Sequence, residues 1–219
     1  RRRSVVPAGR CAVKSENLSP AVALSCVRDL CAQSRGWLVR KGDVPGIGVI
    51  RATFDALRAL GVGVPSGAEF DRYSHALGPF VVLADEMGPE ELLEAATHEC
   101  EHVGQFWRGE YRKGSTVGAT LDGGVAFAWL YLVEPEARVR FEARAYRAGL
   151  EVRHALGLPL PSVDDLADTL ARGYALDANH VAFGRVLLDS ALSSVRAGVV
   201  TTESGAAMLA LLRRHGVIA

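Results

Sequence analysis

Two histidines four residues apart, with a glutamate directly after the first, are the residues of this 219-residue chain best suited to chemistry: His98-Glu99-Cys100-Glu101-His102. On a helix, residues four apart stack on one face, so both imidazoles can reach one ion. The pattern is that of a zinc site in which the glutamate takes a proton from a metal-bound water. The alternative is a solvated polar helix face. In helical projection His98 and His102 fall in a stripe with Glu91, Glu94, Glu101 and Gln105. Leu92, Leu93, Ala96, Cys100, Val103 and Trp107 form the opposite, apolar face. Cys100 therefore reads as a core thiol, and Gln105 as either a partner of the histidines or an exposed side chain.

The elements that must position these residues follow from pattern and punctuation. Gly88-Pro89 opens a helix to about Trp107. Residues 78–84 read as a short strand just before it, with Phe80 to Leu83 as its apolar run. That strand, placed at a sheet edge beside the metal, could hold an extended peptide by main-chain hydrogen bonds. Upstream, residues 1–18 look irregular, Ser19-Pro20 opens a helix to about Val39, and a second helix runs from about Gly48 to Leu60, ending at Gly61. Downstream, residues 108–125 read as a Gly-rich loop, helix resumes near Val125, and Pro135 starts a fresh helix to about Leu156. Gly157 to Pro161 is a break, followed by helices from Ser162, near 176–197 and near 202–215. The class is α+β, mostly helical, with few strands. A unit 1–157, with its core at about 75–155, is followed by a helical segment 158–219 packed on or beside it.

A catalytic zinc site needs a third protein ligand and an open position. Taking about 100° per residue, Glu142 lies at the middle of the inward face of the helix after Pro135. Arg138, Ala145, Tyr146 and Gly149 lie beside it. Arg140, Arg144, Arg147 and Glu151 face away, and Glu136 also projects outward. A buried carboxylate requires a counter-charge or a metal, so Glu142 is either a zinc ligand or the ion-pair partner of Arg138. Hydrolysis also needs an oxyanion donor. Two candidates are His180, on the inward side of its helix with Phe183 and Leu187, and Tyr146, one turn beyond Glu142. His75 reads as a loop residue, and His154 and His215 as peripheral.

His98-Glu99-x-x-His102-Val-x-Gln105, followed by Arg138-x-x-Phe-Glu142-Ala-x-Ala-Tyr146, resembles the gluzincin branch of the zincins. It is similar to the small zincin-like peptidases of bacteria and their phages, over roughly residues 75–155. The resemblance implies one zinc ion on His98, His102 and Glu142, with Glu99 as general base for peptide hydrolysis and a peptide or protein as substrate. The competing readings are a non-catalytic zinc-stabilised module, such as an assembly component of a phage particle or secretion apparatus, and a metal hydrolase acting on another substrate. In the structural module, a cysteine or His180 closes the fourth zinc position.

The remaining composition narrows the field. Lys+Arg and Asp+Glu are both 25, so the net charge is zero and nothing points to nucleic acid as a partner. No stretch is apolar enough to span a membrane. No secretory leader is legible in a sequence that begins at Arg1, which favours a cytoplasmic or virion-associated protein over a secreted one. Cys11, Cys26, Cys31 and Cys100 match no paired CxxC pattern and read as reduced, mostly buried thiols.

Overall fold

The computed structural model describes residues 15–44, 46–62, 64–108, 123–174 and 176–219. Among the described residues, the histidine-bearing helix is one of nine α-helices that accompany a three-stranded sheet. The mostly helical α+β class is as the sequence indicates. Helix α1 (Pro20–Gln33) begins where expected: Ser19 Oγ accepts from the Val22 N–H and Pro20 occupies the first turn. It stops well short of Val39. Arg35 takes a left-handed conformation (φ 58°), reversing the chain, and Trp37–Arg40 form strand β1. These residues continue the apolar period of α1, but their partner is a strand far along the chain that periodicity cannot reveal.

Helix α2 (Ile47–Ala59) ends at Gly61 with φ 81°, a conformation glycine adopts without a Cβ clash. Helix α3 (Gly67–Arg72) is set by a capping box between Ser66 and Glu69. Strands β2 (His75–Leu77) and β3 (Phe80–Leu83) follow, joined through Gly78 at φ 61°. The sheet order is β1-β3-β2. Strand β1 runs parallel to β3 (Trp37↔Phe80 to Arg40↔Leu83), and β2 runs antiparallel to it (His75↔Val82, Leu77↔Phe80). The strand read from sequence is thus the central one. The edge beside the histidine helix belongs to β2, and His75 is a strand residue, not a loop residue.

Helix α4 (Pro89–Arg108) carries the motif. Helices α5 (Gly123–Val133) and α6 (Pro135–Ala155) are divided at Glu134 by Pro135, as expected. Of the Gly-rich loop, positions 109–122 lie outside the described residues, as do positions 1–14 of the irregular start. Helices α7 (Val163–Tyr174), α8 (Ala178–Arg196) and α9 (Glu203–Arg214) follow the break at Gly157.

The two larger of three apolar clusters among the described residues hold most of these elements. One joins Cys26, Val27 and Leu30 of α1, Val81 and Leu83 of β3, Leu93, Ala96, Cys100 and Val103 of α4, and Met208 and Leu212 of α9. The other joins Val139 and Leu150 of α6 to Leu166, Leu170, Leu188 and Leu192 of α7 and α8. Each buried leucine contributes about 1.5–3 kcal/mol. The segment 158–219 therefore completes both clusters, and α4 is pressed from one side by α1 and from the other by α6. Among the described residues, no helix is long and apolar enough to cross a membrane.

Candidate metal centre

Helix α4 is buried on almost every face. Its apolar side packs into the α1 interface, and α6 covers the side that carries His98 and His102. The polar stripe read from sequence is thus largely internal: Glu101 and Gln105 are fully buried and His102 is 5% exposed. Trp107, assigned to the apolar face, is half exposed, and its indole N–H donates to the Arg35 carbonyl at 3.2 Å.

Glu142 rises from α6 between the two imidazoles. Its Oε2 is 3.4 Å from His98 Nε2 and its Oε1 is 3.2 Å from His102 Nε2, while the two Nε2 atoms are 3.2 Å apart. Three donors bound tetrahedrally at zinc–ligand lengths of about 2.0–2.1 Å would be roughly 3.3 Å from one another. Glu142 meets the two imidazoles through different oxygens, so each imidazole nitrogen has a carboxylate oxygen and the other nitrogen at separations comparable to those between a metal's ligands. His98, Glu99 and His102 also place ligand atoms within 4.8 Å of one another, a group that could hold a metal ion. Of the two carboxylates, Glu142 faces both imidazole nitrogens directly, whereas Glu99 stands one residue around the helix from His98.

The hydrogen bonds around these groups fix which atoms face one another. Gln105 Nε2 donates to the Phe141 carbonyl at 3.1 Å, which turns its Oε1 toward His102 Nδ1 at 2.9 Å. Nδ1 must therefore carry the proton, and in the neutral ring the Nε2 lone pair points at Glu142 and His98. A lone pair set against a buried carboxylate demands a cation. Without a metal the demand is met by protons. Burial opposes the charged His102 ring, but the adjacent Glu142 prevails and raises it to about 9. Burial likewise raises the Glu142 carboxyl, and His102 and His98 more than reverse this, holding it well below the usual range.

Tyr131, on α5, donates its hydroxyl to Glu142 Oε1. Sequence reasoning missed it because α5 (GGVAFAWLYLV) is apolar all round and offers no polar face to orient. Arg138 is not the ion-pair partner of Glu142. It is 2% exposed and donates to the carbonyls of Tyr131 (2.6 Å) and Leu132 (2.7 Å), the uncapped end of α5. It thus holds the helix end that carries Tyr131. Tyr146 does reach the site, its ring lying edge-on to His98 with centroids 4.9 Å apart.

His180 does not. Its Nδ1 is bonded at 2.7 Å to Asp177, the N-cap of its own helix. It lines a separate cavity of about 180 Å³ with Tyr174, Leu132 and Arg138. The Asp177 cap turns the ring along the helix start, which helical projection alone does not capture.

Glu99 is 6% exposed. Burial raises its carboxyl pKa, opposed by His98 and His102, and the backbone N–H of Ala76 in β2 donates to it. Glu151, read as outward-facing, is 2% exposed. It accepts from the Thr201 N–H at 2.8 Å, the Thr202 hydroxyl and Arg147 at 3.2 Å. Glu101 accepts from Arg144 (2.7 Å), Arg108 (2.8 Å) and the Ser204 N–H (3.4 Å). Arg144 and Arg147 are therefore engaged with buried carboxylates, because the N-terminus of α9 fills the space assigned to solvent. Glu136 is exposed, as expected, with Arg140 one turn on. Cys26, Cys31 and Cys100 are buried free thiols, and Cys11 lies outside the described residues.

No protein-family model, no curated protein and no solved structure matches the chain.

Proposed function

We propose that the chain is a zinc-dependent peptide-bond hydrolase of the gluzincin type, with His98, His102 and Glu142 as ligands and Glu99 as general base. The observation that carries this reading is that the His98 and His102 Nε2 atoms lie 3.2 Å apart and each lies 3.2–3.4 Å from an oxygen of Glu142, with a second buried carboxylate, Glu99, beside them. Zinc held there supplies Lewis acidity and a water whose pKa falls toward about 7.

Each protein group then has a task. Gln105 holds the His102 tautomer, and Tyr131 holds Glu142. Glu99, its carboxyl made more basic chiefly by burial, is the group that accepts a proton from the attacking water and returns it to the leaving amine. Tyr146, beside His98, is the donor best placed for the oxyanion, a role His180 no longer fills. The His98 side chain is 17% exposed against 1% for Glu142, so the approach for substrate is on the His98 side, toward Tyr146. A substrate strand would lie along β2, whose Ala76 already meets Glu99.

The second reading, a non-catalytic zinc-stabilised module, draws on the burial of Glu142 and His102. Against it, the groups that would close the fourth position stand elsewhere: Cys100 faces α1, and His180 is held by Asp177. Zinc stoichiometry and hydrolysis of a mixed peptide library separate the two. One zinc per chain with cleavage that is lost in Glu99→Gln, while zinc is retained, supports the hydrolase. Equal cleavage by Glu99→Gln overturns it, and retained zinc with no cleavage by the unaltered chain favours the module.

A further inference from the structure

We propose that Cys31 and Cys100 close into a disulfide under oxidising conditions, cross-linking α1 to the ligand helix α4 on the face opposite the metal centre. The two sulfurs are 3.6 Å apart, in van der Waals contact, although 69 residues separate them in sequence. Bond formation needs an approach of about 1.5 Å, to roughly 2.05 Å. Cys31 stands in the last turn of α1, beside the reversal at Arg35, where the chain can absorb that shift. Cys26, earlier on the same helix, points in another direction.

Cys100 lies two residues from both His98 and His102, about 200° around the helix from each. The bond therefore acts from behind the ligands and leaves the donor set intact. Chemically, one thiolate attacks glutathione disulfide and releases one glutathione. The second displaces the other, so that two cysteine thiols and one glutathione disulfide give one protein disulfide and two glutathiones. Both thiols are at most 2% exposed, so exchange requires local opening and proceeds slowly. A closed loop this long constrains the unfolded chain strongly. The bond is detected by mass and peptide mapping whether or not peptides are cleaved; only the zinc readout rests on the proposed metal site.

The test is incubation of the full chain in glutathione buffers of graded ratio. It is followed by denaturing alkylation, peptide mapping, thermal unfolding and measurement of bound zinc. The expected result is a mass loss of two hydrogens, a linked peptide containing Cys31 and Cys100, a Tm higher by several degrees, and unchanged zinc content. The Tm gain disappears in Cys31→Ser, or in Cys31→Ala should serine not fold. Recovery of both cysteines as alkylated thiols in fully oxidising buffer, or a bond to Cys26 or Cys11 instead, overturns the proposal. Release of zinc on oxidation overturns the placement of the bond behind the ligands.

Discussion

Gln105 Oε1 accepts the Nδ1 proton of His102 at 2.9 Å, while the other end of the same amide is fixed by the Phe141 carbonyl. One side chain thus ties α4 to α6, sets the histidine tautomer and aims a lone pair at Glu142. Removing it leaves His102 free to rotate or to carry its proton on the wrong nitrogen. Partners of this kind typically contribute about 10–100-fold to metal affinity. Gln105→Leu should therefore bind zinc roughly 10–100-fold more weakly, read by competition with a chromogenic chelator. Gln105→Glu keeps an acceptor and should lose less. Equal affinity in the leucine variant would remove the orienting role.

Tyr131 and Arg138 form the matching support on Glu142, another of the proposed ligands. Tyr131→Phe deletes the hydroxyl that donates to Glu142 while leaving its ring packing against Phe127 and Phe141. Zinc affinity should fall by about tenfold with little change in fold. Arg138→Met removes the donors to the α5 terminal carbonyls, so it should weaken zinc binding through Tyr131 and also lower stability. Chelator competition and urea unfolding on the two variants distinguish these effects. A Tyr131→Phe protein with unaltered zinc affinity would show that Glu142 needs no such anchor.

The core of this site is legible in the sequence because its signals are local. His98 and His102 share a helix face by spacing, and Glu142 lies at the centre of the inward face of α6. Gln105 falls on the right stripe, but spacing does not assign it a role, since its partner Phe141 is on another helix. Tyr131, Glu101 and Glu151 are hidden for a related reason. Their surroundings are made by segments distant in sequence, α5 lacks a polar face, and α9 supplies the N–H groups that satisfy buried carboxylates. Strand β1 escapes notice because its apolar residues extend the period of α1, and only the parallel partner β3 makes them a strand.

His75 gives a further pH dependence, although the Glu142 carboxylate partly opposes its shift. Its ring is stacked on Phe70 at 4.8 Å, and its buried Nε2 has no hydrogen-bond partner among the described residues. Burial, and then the nearby Lys41, push its pKa down to about 3 from an ordinary value near 6.5. Between those values the unfolded chain binds a proton that the folded chain does not. Stability therefore rises with pH in this window, is fully present above about 6.5, and is lost progressively as pH falls toward about 3. The slope is at most about 1.4 kcal/mol per pH unit. Between about pH 7 and about pH 5, urea unfolding should show a stability change less favourable by about 2 kcal/mol in the unaltered protein than in His75→Phe. Parallel pH profiles for the two proteins would refute this assignment.

Glu101 links the ligand helix to α6 and to α9 through Arg144, Arg108 and the Ser204 N–H, and it is fully buried. Breaking a buried pair by removing one partner typically costs about 3–5 kcal/mol, since the remaining charge loses its partner. Here Arg108 and Arg144 are partly exposed and can recover some hydration, so Glu101→Leu should cost toward the lower end, about 3 kcal/mol. Urea unfolding measures it, and a loss within about 0.5 kcal/mol of zero would show that the network is only a surface pair in effect.

Gly149 governs how closely α4 and α6, which carry the proposed ligands, approach. It lies two turns after Glu142 on the same side of α6, and a Cβ there would stand 3.1 Å from Glu94 Cγ and 3.3 Å from the Glu94 carbonyl oxygen of α4. The Glu94 side chain can swing aside, but the carbonyl belongs to the helix and cannot. Gly149→Ala must therefore move α6 outward by a few tenths of an ångström at that point, even though alanine is the better helix former by about 1 kcal/mol. Glu142 sits on the moving helix and the imidazoles do not, so the donor set opens. The expected outcome is weaker zinc binding together with nearly unchanged helicity, measured by chelator competition and circular dichroism. If Gly149→Ala instead raised stability without loss of zinc, the spacing of α4 and α6 would be set elsewhere along their contact.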